Sequence, residues 1–161
     1  MTGTTDTHIG QFLYIATALP ATNNTAGFDT LTWVLVGGLQ TLPQLGVSHS
    51  ITDIEDLTSG FTSGAKGAAK GVDTSMTFRE VASDTGQDNL KTVAESQGGL
   101  LSVKIVTGSG TDNAPVTGDP VEYAQGIAHS YQPNQGSLSS NEGFTASFRQ
   151  NDFTVKGTEP A

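Results

Sequence analysis

Apolar and polar residues alternate in short runs along most of this chain, and a period of two predicts β-strands. Phe12, Tyr14 and Ala16 alternate with Leu13, Ile15 and Thr17 in a strand expected to be buried on both faces. Residues 32–36 are β-branched and aromatic, and Gly37-Gly38 ends that run. Between residues 45 and 53, Val47, His49 and Ile51 share one face while Ser48, Ser50 and Thr52 share the other, the pattern of a half-buried strand. A longer strand sets Val72, Thr74, Met76, Phe78 and Glu80 against Asp73, Ser75, Thr77, Arg79 and Val81. Leu101, Val103 and Ile105 mark the next strand. Residues 121–131 follow, with Gly126 in mid-strand where a bulge is expected. Phe144, Ala146, Phe148 and Gln150 alternate with Thr145, Ser147 and Arg149 in the last long strand, and the pattern resumes through Phe153 and Val155.

The period changes once. Leu90, Val93 and Ala94 fall at i, i+3 and i+4, one narrow helical face. Asp84 stands where an N-cap belongs, Gln87 has capping-box spacing behind it, and Gly98-Gly99 closes the segment, so a helix is predicted over residues 84–97. Residues 58–71 (TSGFTSGAKGAAKG) have Phe61 as their sole large apolar anchor, and they are expected to form a long mobile loop. Gly64, Gly67 and Gly71 each cost a helix there about 1 kcal/mol. A loop this long in a small domain is more often functional than incidental. Residues 1–10 read as a flexible polar arm, residues 11–156 as a single domain, and residues 157–161 as a tail that frays. Many strands with one helix point to a mainly β fold, a β-sandwich or partly closed barrel with a short helix on one edge.

Composition narrows the function. The 161 residues contain no cysteine, which excludes disulfides, thiolate metal sites and a cysteine nucleophile. Charged residues are 14% of the chain, against about 25% in an average domain, and Gly, Ser and Thr are plentiful. A neutral polar surface of this kind suits contacts in a polymer. The formal charge of −9 lacks the basic stripe of a nucleic-acid binder and favours a surface that repels DNA. No apolar run reaches the ~18 residues that span a bilayer, and residues 1–10 do not resemble a signal peptide. The expectation is therefore a protein made in the cytoplasm with no membrane partner.

A search for chemistry yields little. His8, His49 and His129 are scattered without ligand spacing and read as unrelated side chains. Asp53, Glu55 and Asp56 lack the rhythm of a calcium loop and read as solvated charges. Asp84-Thr85-Gly86 matches the triplet of aspartic proteases, but no second carboxylate loop follows, and a helix cap explains Asp84 better. Lys66 and Lys70 follow alanines, so no phosphate-loop triplet exists. Asn23-Asn24-Thr25 matches a glycosylation acceptor without a secretory signal, and Trp33 beside Val34 and Leu35 reads as core. No enzyme, metal or cofactor is expected.

The order of segments carries a resemblance. An acidic turn enters the Gly-rich stretch (DIEDLTSGFTSGAKGAAKG), then come GVDTSMTFREV, the helix DTGQDNLKTVAES, LLSVKIV, VEYAQGIAHSYQP and GFTASFRQNDFTV. Over residues 30–156 this layout resembles the major tail (tail tube) protein family of long-tailed bacteriophages. The resemblance implies a β-sandwich with one helix and a virion subunit whose hexameric rings stack into a tube for DNA ejection. It also implies tape measure, tail tip or baseplate initiator and tail terminator proteins as partners. On that analogy Thr58, Phe61, Gly64, Lys66, Gly67 and Lys70, with Thr4, Asp6 and His8 of the arm, would make ring-to-ring contacts. Rival readings are a ring protein of a contractile tail or secretion system, a receptor- or carbohydrate-binding β-sandwich of a phage tip, and an aspartic hydrolase.

Overall fold

Strand propensity and alternation produce most of the architecture in the computed structural model, which describes residues 7–161. In chain order the elements are β1 (Gln11–Ala16), α1 (Thr25–Asp29), β2 (Val34–Leu35), β3 (Leu39–Thr41), β4 (Val47–Glu55), β5 (Thr62–Gly71), β6 (Asp73–Arg79), α2 (Thr85–Glu95), β7 (Leu100–Thr107), β8 (Pro120–Pro133), β9 (Gly143–Gln150) and β10 (Val155–Thr158). One sheet runs β2-β1-β7-β8-β9-β6-β3, with β10 also paired to β8, and a second, two-stranded sheet holds β4 and β5. Every pairing is antiparallel. The fold is mainly β with one main helix, as the alternation predicts.

The large sheet curls. Its two outer strands, β2 and β3, are separated in the chain by residues 36–38 alone, which span at most about 14 Å. Val36 N donates to Leu13 O and Arg79 N donates to Gly38 O, so this short link touches both margins of the sheet without closing a barrel. Inside the curl lie Leu13, Ile15, Met76, Phe78, Leu90, Leu101, Val103, Ala124, Phe144 and Phe148, all at or near zero exposure. Phe78 and Phe144 stack with centroids 4.9 Å apart. Each such side chain contributes about 1.5–3 kcal/mol by leaving water.

A second apolar cluster sits on the opposite face of β1, β7 and β8. Phe28 of α1 stacks on Tyr123 at 5.0 Å, Val106 and Val121 pack beside them, and Trp33 covers the group. Trp33 Nε1 donates to Phe28 O, so the ring is core and satisfied. The segment between β1 and β2 is thus a lid over the central strands, which explains why β1 and β7 are covered on both faces.

Helix α2 begins where the sequence places it. Asp84 Oδ2 accepts from Gln87 N at 2.9 Å, and also from Gly37 N at 3.1 Å. Leu90 drives into the main core. The helix ends at Ser96, whose N–H donates to Val93 O. Gln87 does not complete a capping box. Its buried amide instead accepts from Val81 N and donates to Gly37 O and Arg79 O, stitching the β2–β3 link, the end of β6 and α2 together.

Four expectations need correction. Residues 58–71 are no loop, since residues 62–71 form β5 and pair along β4 from Glu55↔Thr62 to Val47↔Gly71. The reason is that a neighbouring strand satisfies their backbone groups, which needs no buried side chains. Strand β4 is mostly exposed rather than half-buried, because it leaves the body and only Val47 and His49 are partly covered. The bulge in β8 falls not at Gly126 but between His129 and Gln132, where Ser130 has φ 57°. Gly126 is regular, and a Cβ there would lie 1.9 Å from Arg149 O, so close approach of β9 is what it serves. Finally, Gly157 and Thr158 do not fray but pair with β8, and Glu159 N donates to Asp119 O.

Candidate functional site

Strand β5 is built from residues too small or too polar to make a core, so the β4–β5 hairpin is held chiefly by its backbone pairing. Its base is fixed by Gln150, a buried amide whose Oε1 accepts from Gly46 N at 2.8 Å. The same side chain donates to Asp152 O and Thr154 Oγ1, and Gln150 N donates to Val72 O. Gly71 must be glycine here, because a Cβ would lie 1.8 Å from Gln150 O. Val72 N donates to Gly46 O and closes the first rung. Beyond that rung the hairpin is almost wholly exposed.

The tip is a turn organised by Asp56. Its carboxylate accepts from Thr58 N at 2.8 Å and from Ser59 N, and these bonds hold it below the usual carboxylate range. The ordered turn displays Leu57, fully exposed, and Phe61, 74% exposed. Ile51 and Ile54 on β4 are likewise open to solvent. Four large apolar side chains thus stand exposed on this one projection.

The predicted site residues divide accordingly. Thr58 and Phe61 lie in the turn and at its exit. Gly64 pairs with Asp53, Lys66 with Ile51, and Lys70 with Ser48. Gly67 stands at the irregularity opposite Ser50. His8 lies outside the hairpin, before β1. Its Nδ1 lies 2.7 Å from Gln11 Oε1, beside a recess of about 570 Å³ at the mouth of the curled sheet, lined by Leu39, Leu42, Leu45 and Ile105. Thr4 and Asp6 lie outside the described residues. The sequence pattern marks residues 58–71 as a contact segment but, reading them as a loop, misses the hairpin and its exposed Ile51, Ile54 and Leu57. Their signal was three apolar residues beside an acidic run, Asp53 to Asp56, that no core could absorb.

The other candidates are structural. His129 Nε2 meets Asp73 Oδ1 at 2.9 Å across two strands, while His49 packs near Phe153. Among the described residues no cluster of His, Asp and Glu could hold a metal. Asp84 spends its carboxylate on two backbone N–H groups, as above. Asn23 is tied to Phe153 O and Gln125 Nε2, and Asn24 caps α1. Among the described residues no helix is long and apolar enough to cross a membrane.

With this geometry in view, solved structures show which fold this is. A chain of the anti-feeding prophage (AFP) baseplate, in a six-fold symmetrised structure, matches 99% of this chain and 98% of its own with TM-score 0.64 at 9% identity. The SPP1 tail tube protein matches 94% of this chain and 78% of its own with TM-score 0.62 at 14% identity. The fold is therefore that of tail tube and baseplate proteins. No protein-family model matches the chain, and no curated protein does.

Proposed function

We propose that this chain is a non-enzymatic structural subunit that assembles with copies of itself into hexameric rings. Stacked, the rings form the hollow tail tube through which a bacteriophage ejects DNA into its host. One observation carries the reading: a hairpin of exposed apolar residues stands on a body whose fold matches tube and baseplate subunits. A two-stranded hairpin is marginal alone in water, so it gains most when a neighbouring molecule covers it.

Thr58, Phe61, Gly64, Lys66, Gly67 and Lys70 of the hairpin, with Thr4, Asp6 and His8 of the arm, are the proposed ring-to-ring contacts. The formal charge of −9 suits a conduit that DNA crosses without sticking. Tape measure, tail tip or baseplate initiator and tail terminator proteins are the proposed partners. The subunit would be made in the host cytoplasm and reside in the virion tail. A subunit of a baseplate-type assembly is the second reading, favoured by the AFP likeness over nearly the whole chain.

Negative-stain microscopy of purified protein at rising concentration tests the proposal. Hollow tubes of uniform width, or six-fold rings, are expected. A monomer at every concentration would overturn it.

A further inference from the structure

The two ends of the body differ. Strands β6 and β9 run side by side, with Asp73 opposite Arg149 at one end and Arg79 opposite Gly143 at the other. The β4–β5 hairpin leaves from the first end, where Gly46 N donates to Gln150 Oε1. The recess beside His8 opens at that end too. Leu45, in its lining, directly precedes that rung, and Ile105 pairs with Glu122, which lies beyond the Gly126↔Gln150 pair on the side away from His129↔Ser147. At the second end, about 24 Å away along β9, residues 134–142 join β8 to β9. That turn carries Leu138, which is fully exposed.

The turn is tied so as to hold Leu138 outward. Ser137 N donates to Ser140 Oγ, Ser140 N donates to Ser137 Oγ, and Ser140 Oγ donates to Gln135 O. Asn134 Nδ2 closes the neck by donating to Asn141 O. An apolar side chain fixed in water gains nothing within its own molecule, whereas a tip already ordered loses little freedom on docking. The recess is its complement in shape and chemistry. Leu39, Leu42, Leu45 and Ile105 line it, the exposed Gln40 and Gln44 border it, and among the described residues nothing fills its roughly 570 Å³. Residues 134–141 carry no charge, and the one acid of the recess, Glu122, faces Lys156 at 3.8 Å. Copies of a chain with a formal charge of −9 repel one another, so a neutral tip meeting a neutral recess is an approach of low electrostatic cost.

We infer that Leu138 of one copy seats in the recess of the next, so that copies stack head to tail along the direction of β9. This inference rests on the subunit reading above and names the receptor of its ring-to-ring contact. Each chain has one such tip and one such recess, so the contact is heterologous and repeats without closing. A column built this way has a direction, with leucine tips open at one end and recesses at the other. The hairpin leaves from the recess end, so Leu57 and Phe61 are available to the docked copy as a second contact.

Substitution and crosslinking test this. Leu138→Ser should melt at the wild-type temperature, while the concentration needed for tubes rises about tenfold or more and single rings persist. Crosslinking locates the partner surface, because the chain has no cysteine of its own. Under oxidation, a mixture of Leu138→Cys and Gln44→Cys chains should give disulfide-linked heterodimers in excess over either homodimer. The double variant should give a ladder of covalent multimers. Tubes that form unchanged from Leu138→Ser overturn the inference alone, and so does a mixture without heterodimers. A crosslink within one chain between Thr4→Cys and Gln44→Cys also overturns it, since the chain's own arm would then hold the recess. Wild type that never assembles sinks the subunit reading along with the inference.

Discussion

Lys104 Nζ lies 3.1 Å from Glu159 Oε1 and over the faces of Tyr14 and Trp33, at 4.5 and 5.5 Å from their ring centroids. This buried ammonium group ties the segment after β10 to the outer face of β7. The aromatic faces supply part of its stabilisation, but Glu159 supplies its sole carboxylate in the described structure.

Glu159→Ala should therefore destabilise the fold by about 2 kcal/mol, below the ~3–5 of a fully buried pair because Glu159 keeps some solvent contact. Lys104→Met should cost less than Glu159→Ala, since it removes the charge along with its need. Urea unfolding of the two variants ranks them, and the reverse order would refute the account.

At the start of α2, Gln87 should matter more than the cap itself. Gln87→Ala strands Val81 N, Gly37 O and Arg79 O in a buried site, and a loss of about 2–3 kcal/mol is expected. Asp84→Ala removes the shared acceptor of two backbone N–H groups from a partly exposed turn and should cost about 1 kcal/mol. Thermal melts with matched denaturant curves separate them.

Asp119 is a nearly solvent-free carboxylate with a charge-dependent task. Hydrogen bonds from Ser109 Oγ, Val116 N and Ser109 N hold its carboxyl below the usual range. A folded value below the unfolded one means its contribution is complete above about pH 4 and is lost as pH falls through the folded value. Wild type should lose stability in that acid window. Asp119→Asn should be weaker at neutral pH and show a flatter acid limb.

Gly71→Ala should loosen the hairpin rather than the body, since the added methyl collides with Gln150 O. A cost of about 1–3 kcal/mol is expected. Hydrogen exchange should show faster amides in β4 and β5 with β7 and β8 unchanged.

The exposed turn separates folding from assembly. Leu57→Ser with Phe61→Ser removes side chains that touch no core, so stability should stay within about 0.5 kcal/mol. Stacking into tubes should fail while single rings persist. Normal tubes from this variant would remove the turn from the ring-to-ring contact.

Much of the body was legible because its strands obey one rule. Leu101, Val103 and Ile105 face the core, and Phe144, Ala146 and Phe148 do the same from β9. Asp84 was readable as a cap because the side chain acts on a backbone three residues away. The hairpin was not readable from residues 58–71 alone, because its order comes from a partner strand and not from apolar content. Nor was Lys104, whose aromatic neighbours Tyr14 and Trp33 are distant in sequence and meet only through the β1–β7 pairing and the lid. Gln87 deceived for a related reason, since three backbone groups, of Gly37, Arg79 and Val81, hold its side chain in place of the local cap.

The order of strands also sets a timetable. Gln11 of β1 faces Thr107 of β7, 96 residues later in the chain, and no element between them can stand in. At about 5–20 residues per second of synthesis, β1 waits roughly 5–20 s for the strand it needs. The β4–β5 hairpin requires no such wait, as local hairpins close within about 1–10 μs of their residues becoming available. Each new chain thus presents its exposed hairpin well before its body exists. In a crowded ribosome queue, the hazard of premature joining falls in that interval, and a helper that shields the hairpin then would be worth more than one that acts on the finished molecule.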